Sequence, residues 1–238
     1  MDHIVELESD HPGFNDPDYR RRRDEIALLA PPLDSEQPPR RVEYNASEHS
    51  TWATVYEKLT ALYPTHACEA FVEVFDQIGH TADAVPQLAD VSAFLTERTG
   101  FRLHPVAGLV SAREFLEALS RRVFCSTQYI RHHSQPLYTP EPDIAHELMG
   151  HAPMLGIPEF ADLSQKIGEG SLSADDQQIE QLATLYWFTI EYGLLIEDGQ
   201  LKAYGAGLLS SFGELEHALS GEVEVRPFDP WLAKDTAY

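Results

Sequence analysis

The residues best suited to metal chemistry are two histidines, His146 and His151, which lie five positions apart between Pro140 and Pro153. Zinc proteases place their paired histidines four positions apart, on one face of a helix. Five positions correspond to about 140° around a regular α-helix of 3.6 residues per turn. Both rings can therefore meet one ion only if the helix ends at Gly150 and the chain turns. The spacing argues against a zinc protease and favours a site at a helix terminus.

The residues around the histidines predict a short helix. Pro140 and Pro142 keep its entry out of a helix and Pro153 closes its exit, because proline fixes φ and lacks an N–H. Asp143 is suited to cap the helix, and Gly150 suits its end, where a left-handed residue is often required. A pair of hydrogen-bonded core histidines would fit the same pattern. The two rings alone therefore do not identify a metal site.

A carboxylate further along the chain makes the prediction of a metal site more specific. A helix is predicted to begin with a capping-box pattern at residues 173–176 and to continue as an amphipathic stripe through Trp187 and Ile190. Glu191 follows Ile190 directly and is predicted to point with the apolar face. A buried carboxylate needs a cation or several hydrogen bonds, although an ordinary salt bridge would also serve. Two histidines and one carboxylate form the facial triad of non-haem Fe(II) oxygenases, which leaves coordination positions open.

Composition and charge bound the class of protein. The chain has 238 residues, 43% of them hydrophobic, and a formal net charge of −22, which predicts one acidic globular domain without nucleic-acid or anionic-membrane partners. Apolar runs are too short for a transmembrane helix, and the acidic N-terminus is unlike a signal peptide. Cys68 and Cys125 are the only cysteines, so reduced thiols and a cytoplasmic location are predicted. The basic residues 20–23 are interpreted as forming ion pairs with acidic groups of the same chain.

Periodicity predicts a mainly α fold, a single domain of packed helices with a few short β-strands and one hairpin. We expect the metal site to lie in a central cleft of this domain. Residues 1–42 are predicted to form an N-terminal arm with a short helix around 19–29, and residues 43–238 the catalytic domain. Helices are predicted at 50–63, where Pro64 stops the helix, at 67–78 and at 90–98. Ser111 and Glu114 predict a capping box, and Asp198-Gly199 predicts the hairpin turn.

Seven motifs stand in order along the chain: His11–Phe14, Tyr19–Arg23, Arg131–His132, Tyr138–Asp143, His146–His151, Tyr186–Glu191 and Lys202–Glu214. In this order they resemble the pterin-dependent aromatic amino acid hydroxylases, and most closely the phenylalanine 4-hydroxylases among them. The resemblance covers nearly the whole chain, although family members generally continue further at the C-terminus.

The resemblance implies an Fe(II) centre held by His146, His151 and Glu191, with Glu147 completing the catalytic set. His132 and His133 are interpreted as lying outside the iron set, because three ligands already satisfy the motif. For the cofactor, tetrahydrobiopterin or a related tetrahydropterin, the resemblance implies water-mediated contact with Glu147, stacking on Phe124 and contact with Leu119. Glu117 departs from the family pattern, which has glycine there. For the amino-acid substrate the implied residues are Arg131, Thr139, Trp187, Phe188, Ser210 and Ser211.

The implied reaction is hydroxylation of L-phenylalanine to L-tyrosine by dioxygen and a tetrahydropterin, in a monomer or weak oligomer whose partners are small molecules. Trp187 favours a single-ring substrate, because the family typically has Phe at this position in its tryptophan enzymes. Tryptophan, tyrosine or meta-phenylalanine hydroxylation remain alternatives within the family. Outside it, the alternatives are a zinc hydrolase and an inactive metal- or pterin-binding fragment.

Overall fold

The computed structural model describes residues 7–237. Within them the fold is mainly helical with two small sheets, as the periodicity predicts. The α-helices are α1 Pro17–Ala27, α2 Ala46–His66, α3 Glu69–Ile78, α4 Leu88–Thr99, α5 Ala112–Ser120, α6 Ile144–His146, α7 Ala152–Leu155, α8 Pro158–Ser171, α9 Asp176–Tyr186, α10 Ala206–Leu209, α11 Phe212–Ala218 and α12 Pro230–Ala233. Two π-helical turns join this series: π1 at Glu147–His151, between α6 and α7, and π2 at Trp187–Glu191, after α9.

The helix that carries the two histidines differs from the prediction. It does not end at Gly150 but runs on through π1 into α7, and Pro153 lies inside it, at the start of α7. Gly150 is required for a different reason: a Cβ there would lie 2.4 Å from the carbonyl oxygen of Ala206. The glycine therefore allows α10 to approach the helix closely, and it does not serve as a left-handed cap.

The two sheets are short. β1 (Arg102–Pro105) pairs in parallel with β2 (Val123–Ser126), and β3 (Leu194–Glu197) pairs antiparallel with β4 (Gln200–Ala203). The turn of the second pair is the predicted hairpin. Asp198 and Gly199 both have positive φ, 51° and 77°, which a type I′ turn requires.

Helix boundaries agree with the capping signals better than with the proline signal. Ser111 and Glu114 form the predicted capping box, whereas the box of α9 is made by Asp175 and Gln178 and so begins two residues later than Ser173. The prediction that Pro64 stops α2 is wrong. The helix continues to His66 and Ala67 still donates to the carbonyl of Tyr63, because a proline in a last turn removes only its own N–H.

The predicted N-terminal helix is α1, and it contributes to the main core. Ile26 of α1 and Val42 are buried in the same apolar cluster as Trp52 and Leu148. The division of the chain at residue 42 remains a prediction, and residues 1–6 of the arm lie outside the described residues. Among helices of the described residues, none has the length and apolar character that crossing a membrane requires.

Candidate active site

The two π-helical turns bring the three predicted ligands together. In π1, Ala152 donates its N–H to the carbonyl of Glu147, five residues earlier, so residues five apart stack along the helix and the rings of His146 and His151 share a face. In π2, Tyr192 likewise donates to Trp187 at 3.0 Å. Single π-turns inside α-helices are frequent at functional sites. The five-residue spacing is thus accommodated by a wider turn and not by a helix end.

The ligand atoms of the triad converge. The Nε2 atom of His151 lies 3.0 Å from Nε2 of His146 and 3.0 Å from Oε1 of Glu191. His146 Nε2 lies 3.9 Å from Glu191 Oε2. On the other side of its ring, His146 Nδ1 is 2.8 Å from the Ser210 hydroxyl, a contact that orients a ligating imidazole.

This donor set fits a divalent transition metal. Two imidazole nitrogens and a carboxylate oxygen are the ligands that non-haem Fe(II) prefers. The three ligand atoms lie within 4.8 Å of one another; of the two cavities described below, one is lined by all three residues and the other by His146 and Glu191. His146, His151 and Glu191 are therefore the residues that would hold the ion.

Burial and mutual charge shift the pKa values of these groups. Burial lowers the pKa of His146 to about 4, helped by the neighbouring His151. Burial also opposes the charged form of His151, but the Glu191 carboxylate outweighs it and raises the pKa of His151. Burial favours the neutral form of Glu191, yet the charge of His151 lowers the pKa of that carboxyl. Burial raises the pKa of Glu147 to about 8.

On one side of the triad lies a cavity of about 360 Å³, here termed the cofactor cavity, which Glu147, Phe124 and the triad all line. Glu147 is buried, and its Oε1 accepts the N–H of Thr127 at 3.3 Å. The hydroxyl of Tyr186, also in this wall, is buried without a hydrogen-bond partner in the protein. An apolar slot with these polar groups at its edge suits a flat, polar heterocycle.

The walls of the cofactor cavity differ in part from the residues that the resemblance implies. Phe124 is 2% exposed and its ring lies 4.6 Å from that of His151, so little of its face is open. Phe115, half-buried and edge-on to Phe124 at 5.6 Å, is the more open ring of this wall. Leu119 does not line the cavity, because it is fully buried in the core, and Leu116 occupies the wall instead.

On the other side of the triad lies a second cavity, of about 330 Å³, here termed the substrate cavity. Trp187, His146 and Glu191 line both cavities. Of the substrate residues that the resemblance implies, the substrate cavity contains Arg131, Thr139, Trp187, Ser210 and Ser211, whereas Phe188 is not in its lining. Tyr138 and Tyr192 join Trp187 in this lining, and the rings of Trp187 and Tyr192 lie 4.6 Å apart with their planes tilted by 35°.

Arg131 is held from inside the protein. Its Nε and Nη2 bond Oδ2 and Oδ1 of Asp143 at 2.9 and 2.7 Å, and its backbone N–H bonds Oδ2 at 2.7 Å. The same carboxylate caps α6 through the N–H of His146 at 2.9 Å, as predicted for Asp143. The guanidinium fork is therefore occupied. Nη1, with only a 3.5 Å contact to the carbonyl of Pro136, is the nitrogen left for a ligand.

Sequence reasoning missed three features of the site. Tyr192 follows the ligand Glu191 directly, and that adjacency was a usable signal. Phe115 lies in α5, and nothing in the local sequence distinguishes a residue of a cavity wall from a residue of the core. The pairing of Arg131 with Asp143 spans twelve positions through a loop, and no local pattern encodes it.

Comparison with known proteins places this geometry in a family. The sequence profile of the biopterin-dependent aromatic amino acid hydroxylases matches residues 1–238. Tyrosine 3-monooxygenase of Canis lupus familiaris is 56% identical over 98% of this chain and 48% of its own length. Protein henna of Drosophila melanogaster is 52% identical over 98% of this chain and 52% of its own length. The chain thus spans about half the length of these curated relatives.

Solved structures agree in fold. Apo phenylalanine hydroxylase of Colwellia psychrerythraea superposes with a TM-score of 0.80 at 36% identity, over 83% of this chain and 76% of that one. Phenylalanine hydroxylase of Chromobacterium violaceum with bound iron(III) and oxidised 7,8-dihydrobiopterin gives a TM-score of 0.80 at 31% identity, over 99% of this chain and 82% of that one. With the profile matched from end to end, this chain belongs to the biopterin-dependent aromatic amino acid hydroxylase family.

Proposed function

We propose that this chain is the catalytic part of a monooxygenase that hydroxylates L-phenylalanine to L-tyrosine with dioxygen and a tetrahydropterin. The observation that carries the proposal is the position of the triad between two cavities: all three residues line the cofactor cavity, and His146 and Glu191 also line the substrate cavity. Bound iron and tetrahydropterin would supply dioxygen activation and two electrons, so that one oxygen atom enters the ring and the other leaves with the oxidised pterin. The protein holds the reactants on either side of one metal and excludes water from them.

In the cofactor cavity, Phe115 and Phe124 offer apolar walls to the pterin, and Glu147 stands at its edge. Glu147 is within hydrogen-bond reach of Thr127 inside the cavity wall, so its carboxyl is held in a fixed orientation and can position a polar edge or an intervening water. Its burial favours the neutral, proton-donating form.

In the substrate cavity, Nη1 of Arg131 is proposed to bind the substrate carboxylate, with Asp143 locking the guanidinium plane. Thr139 is held by a 2.7 Å hydrogen bond from its hydroxyl to the carbonyl of Glu141, which fixes the loop beside Arg131. Ser210 and Ser211 line the opposite wall. These contacts orient the amino acid so that its ring points toward Trp187 and the metal.

Phenylalanine is the first choice of substrate because Trp187 and Tyr192 form a stacked aromatic wall that suits one benzene ring and crowds a fused second ring. Tyrosine is the second candidate, since relatives 55–56% identical to this chain bear the name tyrosine 3-monooxygenase. A competition experiment that compares hydroxylation of phenylalanine and of tyrosine therefore distinguishes the two candidates.

The test supplies apo protein with Fe(II), tetrahydrobiopterin and equal amounts of isotope-labelled phenylalanine, unlabelled tyrosine and unlabelled tryptophan, and identifies hydroxylated products by mass spectrometry. We expect tyrosine formed from phenylalanine as the main product. Glu191→Ala should abolish both stoichiometric iron and turnover while the protein stays folded. A wild type that mainly hydroxylates tyrosine or tryptophan would overturn the substrate assignment, and a Glu191→Ala variant with full iron and turnover would overturn the triad.

Trp187→Phe tests the wall itself. It should shift the ratio of kcat/KM values toward tryptophan by about 10- to 200-fold, the range for a change of this size in an apolar pocket. Trp231→Phe is the matched control, because Trp231 is 77% exposed and lines neither cavity. An unmoved ratio in Trp187→Phe would remove the physical basis of the assignment.

A further inference from the structure

A second group of metal-ligating side chains lies outside the triad. Among the described residues, Asp16, His132 and His133 also bring one ligand atom each within 4.8 Å of one another. Asp16 precedes α1, and the histidines follow Arg131 in the loop that leads to the active site. The hydroxylation proposed above uses none of these three side chains.

The carboxylate of Asp16 is fixed with one oxygen free for a ligand. Its Oδ1 caps α1 by accepting the N–H groups of Asp18 and Tyr19 at 2.9 and 3.0 Å. These two bonds set the carboxylate plane. Oδ2 then points at the loop, 3.2 Å from Nε2 of His132.

His132 is oriented as a metal-ligating histidine usually is. The residue is 7% exposed, and its ring stands edge-on to Tyr19 at 4.9 Å. Its Nδ1 lies 2.7 Å from the hydroxyl of Ser134. Ligating imidazoles commonly donate their second N–H to an oxygen atom, which fixes the ring. The backbone N–H of Ser134 also approaches Nδ1, at 3.3 Å, so Ser134 holds this side of the ring while Nε2 faces Asp16.

His133 supplies an adjustable third donor. Its exposed ring lies 4.3 Å from that of His132, with the planes 36° apart. Asp16 and His133 line a surface pocket of about 370 Å³, so an ion can reach them from solvent. The three arginines that line this pocket are each offset by a carboxylate, through the pairs Arg21–Asp18 at 2.9 Å, Arg22–Glu48 at 2.9 Å and Arg131–Asp143 at 2.7 Å.

We propose that Asp16 Oδ2, His132 Nε2 and a ring nitrogen of His133 form a second cation site, for a divalent ion of the Zn²⁺ type. Imidazole with one carboxylate suits zinc and its neighbours, whereas Ca²⁺ and Mg²⁺ require mostly oxygen ligands. The bound ion would link the N-terminal segment to the loop 116 positions later. This proposal is independent of the proposed function, because it concerns none of the triad residues.

The experiment counts Zn²⁺ ions bound per chain, by equilibrium dialysis of metal-free protein followed by elemental analysis. We expect two ions in the wild type, one in His146→Ala, one in His133→Asn and none in the double variant. His217→Asn, which replaces an exposed histidine outside both clusters, is the matched control and should keep two. No ion in His146→Ala, or as many ions in His133→Asn as in the wild type, would overturn the proposal.

Asp16→Asn gives a second test that does not depend on the histidines. Asparagine caps helices about as well as aspartate, so α1 should persist, and melting without metal should confirm this. The Zn²⁺ affinity of the second site should fall at least about tenfold, and the rise in Tm caused by Zn²⁺ in the His146→Ala background should shrink accordingly. Unchanged affinity in Asp16→Asn would refute the site.

Discussion

Gly207 lies where any side chain would press on Glu191, the proposed metal ligand. A Cβ on Gly207 would lie 3.0 Å from the carbonyl oxygen of Glu191, 3.2 Å from its Oε2 and 3.3 Å from Cε2 of Tyr192. Each distance is shorter than the 3.4 Å at which ordinary van der Waals contact begins. In Gly207→Ala, the carboxylate and the neighbouring ring must therefore move by a few tenths of an ångström.

The size of the effect follows from the cost of overpacking. Adding one methyl group to a tightly packed site costs about 1–3 kcal/mol. If this strain falls on the metal-bound arrangement of Glu191, the Kd for Fe(II) rises by about 5- to 150-fold. Because the displaced atoms belong to a ligand and to the substrate-cavity wall, kcat should fall as well, while the free energy of unfolding should fall by no more than the overpacking cost.

The assay is anaerobic titration of apo protein with Fe(II) against a competing chelator, together with urea unfolding. Gly213→Ala is the matched control, because a Cβ at Gly213 in α11 meets nothing within 4 Å. It should leave iron affinity unchanged and raise stability by up to about 1 kcal/mol. The reasoning fails if Gly207→Ala binds iron as tightly as the wild type, or if Gly213→Ala loses iron equally.

Four further predictions concern charge. Arg131→Lys should raise the KM for phenylalanine strongly and the KM for pterin little, because a single ammonium group cannot bond both oxygens of Asp143 and also reach the substrate. Equal changes in both KM values would contradict this. Asp143→Asn should lower the free energy of unfolding in urea by about 3–5 kcal/mol, since it leaves Arg131 buried and unpaired; a loss below about 1 kcal/mol would count against it. His80 is buried and bonds the carbonyl of Leu148 at 3.2 Å, and burial lowers its pKa to about 4. In the unfolded state the imidazole has a pKa of about 6.5, so the unfolded chain binds the proton first as pH falls. His80 should therefore lower the free energy of unfolding by about 2 kcal/mol between pH 7.5 and pH 5. In His80→Gln, urea unfolding should show a decrease over this pH range that is smaller by that amount. Finally, with a net charge of −22, the protein should gain Tm from low to molar KCl, and a flat or falling Tm would disprove self-repulsion.

Local signals were reliable where one short segment determines its own conformation. The Ser111–Glu114 capping box, the Asp198-Gly199 turn and the cap at Asp143 all occur as predicted, because each depends on backbone groups within a few residues. The stop at Pro64 and the helix end at Gly150 were wrong. Pro64 is tolerated because it lies in the last turn of α2. Gly150 instead serves the close approach of Ala206, a contact with a distant segment that the local sequence does not encode.

The candidate site likewise contains residues that the sequence predicts and residues that only the packing identifies. The residue types and motif order were sufficient to predict His146, His151 and Glu191 as one set, and the structure brings them together. They were insufficient to distinguish Phe115 from Phe124, or Leu116 from Leu119, as walls of the cofactor cavity. Neighbouring apolar residues on one helix or strand are chemically equivalent in sequence, and only their packing separates cavity wall from core.

By itself the sequence determined the helical class, the family and the chemistry of the donor set, because these depend on residue type, order and local periodicity. Tertiary structure alone decided that two π-turns aim the ligands, that Asp143 occupies the guanidinium fork of Arg131, and that Asp16 meets His132 across 116 positions. Such contacts join segments whose separation along the chain carries no periodic signal. They exist only because the core, formed from many elements at once, fixes where each segment lies.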